Sequence, residues 1–173
     1  MYKIDDGIFL VTLARKTIDE YLKNAKAKTV PEDTSEKLKE KAGVFVTLDT
    51  YPNKELRGCI GHPYPDSPLV EATIDSAISA ATRDPRFPRV KIEELENIVI
   101  DISILTPPKL LEVNDPKEYI SKIEIGKSGL IAELGFMKGL LLPQVPVEYK
   151  WSQEEFLAHT CMKAGLPLNA WKD

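Results

Sequence analysis

Two short stretches of the chain carry residue types suited to chemistry. Leu56-Arg57-Gly58-Cys59-Ile60-Gly61-His62 sets a thiol between two glycines with an arginine two residues before it, and Arg83-Asp84-Pro85-Arg86-Phe87-Pro88-Arg89 follows downstream. Four of the five arginines (Arg57, Arg83, Arg86, Arg89) lie in this region, in a window from 57 to 89 that holds no lysine. Arginine offers a planar fork of donors that matches carboxylate or phosphate, whereas lysine suits a solvated surface. A chain that is otherwise lysine-based therefore concentrates its forks in one region.

On a strand, Arg57 and Cys59 share a face about 6.5 Å apart. A guanidinium beside a thiol favours the thiolate, the form that acts as nucleophile or metal ligand. Gly58 and Gly61 would let a ligand approach the backbone closely. Arg83 and Arg86 would converge on an anion, with Asp84 orienting one of them. The assignment is thus Cys59, Arg57 and Asp84 for catalysis, and Arg86, Gly58, Gly61, Arg83 and Gln144 for binding, with Gln144 lining a cleft. The same residues admit plainer roles. Cys59 can be a small buried hydrophobe in a crowded sheet, and Arg83 can sit at a helix C-terminus because the dipole favours it there. No metal is assigned: Cys59 and His62 have ligand spacing, but His159 and Cys161 on one helix would point roughly 200° apart and cannot share an ion. A papain-type pair would need His62 or His159 to reach Cys59.

Around these residues the chain has 173 positions, 43% apolar residues and a formal net charge of −4. That content can bury a core, and the acidic balance argues against an extended nucleic-acid footprint. Two cysteines in different contexts make no disulfide framework, and no apolar run approaches the roughly 20 residues of a membrane span. No signal-peptide pattern opens the chain, so the expected location is cytoplasmic.

The elements that must hold the site follow from periodicity. Phe9, Leu10, Leu13, Ala14, Ile18, Tyr21 and Leu22 recur at helical spacing after a cap at Asp6, and a short helix is expected near 35–41. A strand over 44–48 and another over 56–61 flank a turn at Tyr51-Pro52-Asn53-Lys54. Ser67-Pro68 opens a helix that runs to about Arg83, with Pro68 at its first position, and Ile98 to Leu105 alternates as a strand. Asp115 caps a short helix with Glu118 as its reciprocal partner, and a hairpin is expected around Gly126. Gly139 to Val145 reads as a short buried segment. A last helix has Ser152 and Glu155 as a capping box and Gly165 as its stop; on it, Cys161 belongs to the core and His159 pairs with Glu155 in solvent. The order of elements argues for α+β, mainly antiparallel sheet flanked by helices.

The string Leu56-Arg57-Gly58-Cys59-Ile60-Gly61, with Asp84-Pro85-Arg86-Phe87-Pro88, Gly139-Leu140-Leu141-Leu142-Pro143-Gln144-Val145 and the 151–166 block, resembles the AMMECR family over nearly the whole chain. The resemblance implies a single domain of two lobes, interleaved in sequence, the second smaller, with the motif near a cleft between them. It also implies a Memo-like or radical-SAM-like partner in a modification pathway, because microbial relatives are fused to such domains. It names no reaction and no cofactor. Arg57, Cys59, Asp84 and Arg86 carry over; Arg89 stands where the family usually has a proline and does not. Two functions remain open on these residues. One is an enzyme or enzyme subunit using Cys59 beside an arginine-rich anion site. The other is a non-catalytic module that recognises a small anion, a phosphate, a nucleotide or an acidic protein partner through Arg57 and Arg86.

Overall fold

The computed structural model describes residues 2–172. The fold is α+β, and the chain divides after Pro107 into two compact units.

The first unit begins with α1 (Ile4–Asn24), whose Leu10, Leu13, Ala14, Thr17 and Ile18 form the buried stripe that the helical spacing predicts. Asp6 is not its cap but lies three residues in, where its carboxylate accepts the Lys3 backbone N–H at 2.8 Å. A single helical turn, α2 (Glu36–Lys39), follows. The strands β1 (Gly43–Thr50), β2 (Leu56–His62) and β3 (Ile98–Leu105) make an antiparallel sheet in the order β2-β1-β3. β1 alternates as a strand with one buried face must: Val44, Val46 and Leu48 are fully buried and pack with residues of α1 and of α3 (Leu69–Thr82). Pro68 is the cap of α3 rather than its first turn, and 11 of the helix's 14 residues are buried, so α3 is a core helix and not a half-exposed one.

Close packing accounts for both motif glycines, of α3 against Gly58 and of β1 against Gly61. A Cβ on Gly58 would stand 2.2 Å from the Ala80 carbonyl oxygen, and one on Gly61 would stand 2.1 Å from the Val44 carbonyl oxygen and 2.6 Å from the Phe45 ring. Their bareness is used by the protein itself, which corrects the expectation that it opens the backbone to a ligand.

The second unit holds a two-stranded antiparallel sheet, β4 (Leu130–Leu134) with β5 (Met137–Leu141), and the helices α4 (Glu118–Lys122), α5 (Gln144–Glu148) and α6 (Gln153–Lys163). Its hairpin turns at Gly135, not at Gly126; Gly126 belongs to a separate turn in which Ser128 N–H donates to the Glu124 carbonyl. The segment at 139–141 is therefore part of β5. Ser152 and Glu155 cap α6 reciprocally and Gly165 follows its end at φ 80°, as the sequence predicts. Ile123, Leu130, Phe156 and Leu157 form this unit's core. No helix among the described residues is long and apolar enough to cross a membrane.

Gly58→Ala should lower stability by about 2–3 kcal/mol, because a backbone carbonyl cannot yield to the added methyl. Gly7→Ala, in α1 with no atom within 4 Å of the new Cβ, should instead raise it by about 0.5–1 kcal/mol. Urea denaturation of both variants checks this, and shifts of the same sign would contradict it.

Candidate functional site

β2 is an edge strand, so backbone groups on its outer side lack a strand partner. At Cys59 that gap is filled by the turn after α3. Pro85 ends the helix, Arg83 N–H bonds back to Ser79, and Val90 N–H bonds back to Ala81, which folds the segment 84–90 against the end of α3. The turn brings Asp84 to the strand edge. One Asp84 oxygen accepts the Cys59 N–H at 2.8 Å and an Arg86 Nη2–H at 2.7 Å; the other accepts Arg86 Nε at 2.9 Å and the Arg86 backbone N–H at 3.1 Å. Arg86 Nη2 also donates to the Cys59 carbonyl at 3.3 Å. The Asp84–Arg86 pair thus acts as a substitute strand, engaging both backbone groups of Cys59.

Because the Cys59 N–H points outward to Asp84, Cys59 and its β1 partner Thr47 form the closer, non-hydrogen-bonded kind of antiparallel pair, with Cα atoms about 4.5 Å apart. Their side chains meet: Thr47 Oγ1 donates to Cys59 Sγ at 3.2 Å. Both residues lie on the sheet face turned away from α1 and α3, and Cys59 is half-buried.

Arg57 does not join them. The β1–β2 register pairs Leu48 with Gly58 and Asp49 with Leu56, leaving Arg57 as an extra residue without an opposite number. Such a bulge re-aims its side chain. The guanidinium grips Glu94 through Nε at 2.9 Å and Nη2 at 3.2 Å, and donates from Nη1 to the Pro88 carbonyl at 2.9 Å. This corrects the expectation of Arg57 as activator of Cys59 and as an anion-binding fork: all three of its nitrogens are engaged, and the side chain is 12% exposed. Its hydrogen bonds draw the Glu94 pKa down, helped by the Lys91 N–H and opposed by burial. Arg57 fastens β2 to the 3-10 turn Ile92–Asn97.

Arg83 also departs from the cluster. Its Nη1 lies 3.8 Å from one Asp75 oxygen, and the other Asp75 oxygen is 2.9 Å from His62 Nε2, so His62 and Arg83 share a carboxylate on α3. His159 lies in the second unit with its ring stacked on Trp151 at 3.9 Å, and Trp151 stacks in turn on Tyr149 at 5.0 Å. His159 keeps its expected attraction to Glu155, which helps lower that carboxyl, but its ring is partly buried in this stack rather than solvated, and His62 is held by Asp75. Gln144 begins α5 and is exposed. Cys161 is buried in the second unit, and burial pushes its thiol pKa up. Among the described residues no group of three or more His, Cys, Asp or Glu is arranged to hold a metal ion.

What remains at Cys59 is a compact set. Asp84 is nearly inaccessible, its side chain 2% exposed, while Arg86 is 47% exposed. The Arg86 hydrogen bonds hold the Asp84 carboxyl down to about 2, with the Cys59 and Arg86 N–H groups assisting and burial opposing. Asp84 in turn holds Arg86 charged, and the Arg86 charge is further favoured by Coulombic attraction to Cys59. The guanidinium beside the thiol is therefore that of Arg86. Its Nη1 donates to no described residue, which leaves one edge of the fork open. Sequence alone does not point to Thr47 or Glu94. Thr47 shares a face with Cys59 only once the hairpin register is known, and Glu94 carries no local signal beyond its place near a helical turn.

A family model, AMMECR1, matches residues 11–173. Protein MJ0810 of Methanocaldococcus jannaschii is 59% identical over 97% of this chain and 83% of its own length. Protein PH0010 of Pyrococcus horikoshii is 57% identical over 100% of this chain and 86% of its own. The crystal structure of that uncharacterized protein superposes with a TM-score of 0.95, covering 99% of this chain and 85% of the other. None of these names states an activity.

Since a carboxyl held low stabilises the fold when ionised, Asp84's contribution is complete above its unfolded value of 3.8 and is lost as pH falls toward about 2. The loss should be on the order of 1–2 kcal/mol after discounting for the solvent around Arg86. Urea unfolding at pH 5, 4, 3 and 2.5 should show this acid limb in the wild type and a shallower one in Asp84→Asn. Parallel curves would contradict it.

Proposed function

Because the chain belongs to the AMMECR1 family, whose motif holds Cys59, we propose that it is a cytoplasmic enzyme, or the catalytic part of one, using Cys59 as a nucleophile on a small substrate whose anionic group docks at Arg86. One observation carries this reading: Cys59 is engaged at three points, its N–H by Asp84, its carbonyl by Arg86 and its Sγ by Thr47, while the residue stays only partly buried. The contrast with Cys161 lies in access: that thiol is also hydrogen-bonded, to the Trp171 backbone, but it is buried in the core of its unit, whereas Cys59 is not. The Thr47 hydroxyl donates to the attacking sulfur, and the Arg86 guanidinium is bonded to the carbonyl of the same residue, so a donor and a cation flank the reacting atom. In the step proposed, Sγ bonds to an electrophilic carbon of the substrate, the leaving group departs with its bonding pair, and the thiol proton passes to it or to solvent. The Memo-like or radical-SAM-like partner implied by resemblance would supply or consume that substrate in a modification pathway.

A second reading rests on the open Nη1 edge of Arg86. There the chain binds a phosphate or carboxylate without reacting, and Cys59 serves only as a small neighbour.

Native alkylation with iodoacetamide, mapped by mass spectrometry, separates the two. Cys59 should be modified at least tenfold faster than Cys161, and Thr47→Val should slow Cys59 about threefold or more without unfolding the protein. Modification of Cys59 only upon denaturation would contradict a nucleophilic role and leave the binding reading.

A further inference from the structure

The register that sets Thr47 beside Cys59 extends to β3. Thr47 pairs with Asp101 on its other side, so Cys59, Thr47 and Asp101 form one row across all three strands, side chains on the same face. β1 is the central strand, and Thr47 spends none of its backbone groups on Cys59. The Thr47–Asp101 pair is therefore the wider, hydrogen-bonded kind, with Cα atoms about 5.5 Å apart. Cys59 and Asp101 consequently lie about 10 Å apart, with only a threonine between them.

Asp101 is exposed and interrupts the isoleucines of β3. No hydrogen bond or ion pair to a described residue engages its carboxylate. The other acids near the site are neutralised: Asp84 by Arg86, Glu94 by Arg57. Asp101 is thus the unbalanced charge on this line, on the opposite side of Cys59 from the Arg86 guanidinium at the β2 edge.

We infer that Asp101 is a specificity residue that seats a cationic group of the substrate, so that the site takes a bipolar molecule, with its anionic end at Arg86, its ammonium-like end at Asp101 and its electrophilic carbon over Cys59. This rests on the reading of Cys59 as a nucleophile and deepens it by naming the substrate class. A carboxylate at this distance, partly screened by solvent, should favour an approaching unit cation by about threefold to fivefold.

The test uses two methanethiosulfonate reagents on the whole chain, one with a trimethylammonium group and one neutral. In each reaction Cys59 Sγ attacks the thiosulfonate sulfur, a disulfide forms, methanesulfinate leaves with the bonding pair, and the thiol proton goes to solvent. Rates are followed by mass spectrometry, and the cation-to-neutral ratio is divided by the same ratio for a small neutral thiol. Because Arg86 repels the same cation, the reading is the change between proteins: Asp101→Asn should lower the normalised ratio about threefold or more at low salt and by much less in 0.5 M salt, while Cys59 stays reactive toward the neutral reagent. A ratio unchanged by Asp101→Asn would overturn the inference and leave the nucleophile standing. A Cys59 inert to both reagents in the native protein would overturn the nucleophile and this inference with it.

Discussion

The bond from the Cys59 N–H to the Asp84 carboxylate holds the rest of the site in place. An edge strand must dispose of its outward backbone groups, and here a buried side chain does so instead of another strand. The same bond sets the parity of the β1–β2 ladder, which brings Thr47 into contact with sulfur. Asp84 can occupy that position only because Arg86 closes around it with a bidentate fork. Removing Arg86 would leave the buried Asp84 carboxylate unmatched, the situation in which a charge pair matters most.

Arginine clustering therefore has a mixed origin. Arg57 and Arg86 both grip carboxylates, but they do different work. Arg57 is nearly inaccessible and joins β2 to a 3-10 turn, whereas Arg86 remains half-exposed with one nitrogen unengaged. Arg83 shares Asp75 with His62 on α3. Arg89 lies over the Tyr21 ring at 5.7 Å, a contact to α1 rather than to the thiol. Of four forks in one sequence window, one faces Cys59.

Much of the framework was legible because it follows from periodicity and capping. The α1 stripe, the alternation of β3, the Ser152–Glu155 box and the α+β class all rest on local rules that the fold obeys. Errors arose where a non-local fact overrode a local rule. Regular alternation places Arg57 beside Cys59, but one extra residue in β2 breaks the alternation. Gly58 and Gly61 read as openings because sequence does not show that the Ala80 carbonyl and the Phe45 ring fill them. Gly126 and Gly135 both read as turn residues in sequence, and only the strand pairing assigns the hairpin to Gly135. Asp84 was recognised from its neighbours, while Thr47 and Asp101 acquire meaning only through register across three strands.

The claim that the clamp exists to present the thiol is tested most directly by the rate constant for Cys59 modification by a neutral reagent in wild type and Asp84→Asn. Both proteins must be shown to be folded by circular dichroism under the assay conditions. If the Asp84–Arg86 pair positions Cys59, the variant should react at least tenfold more slowly. An equal rate in a folded variant would mean that the clamp only protects a sheet edge, and that Cys59 owes its chemistry to nothing built around it.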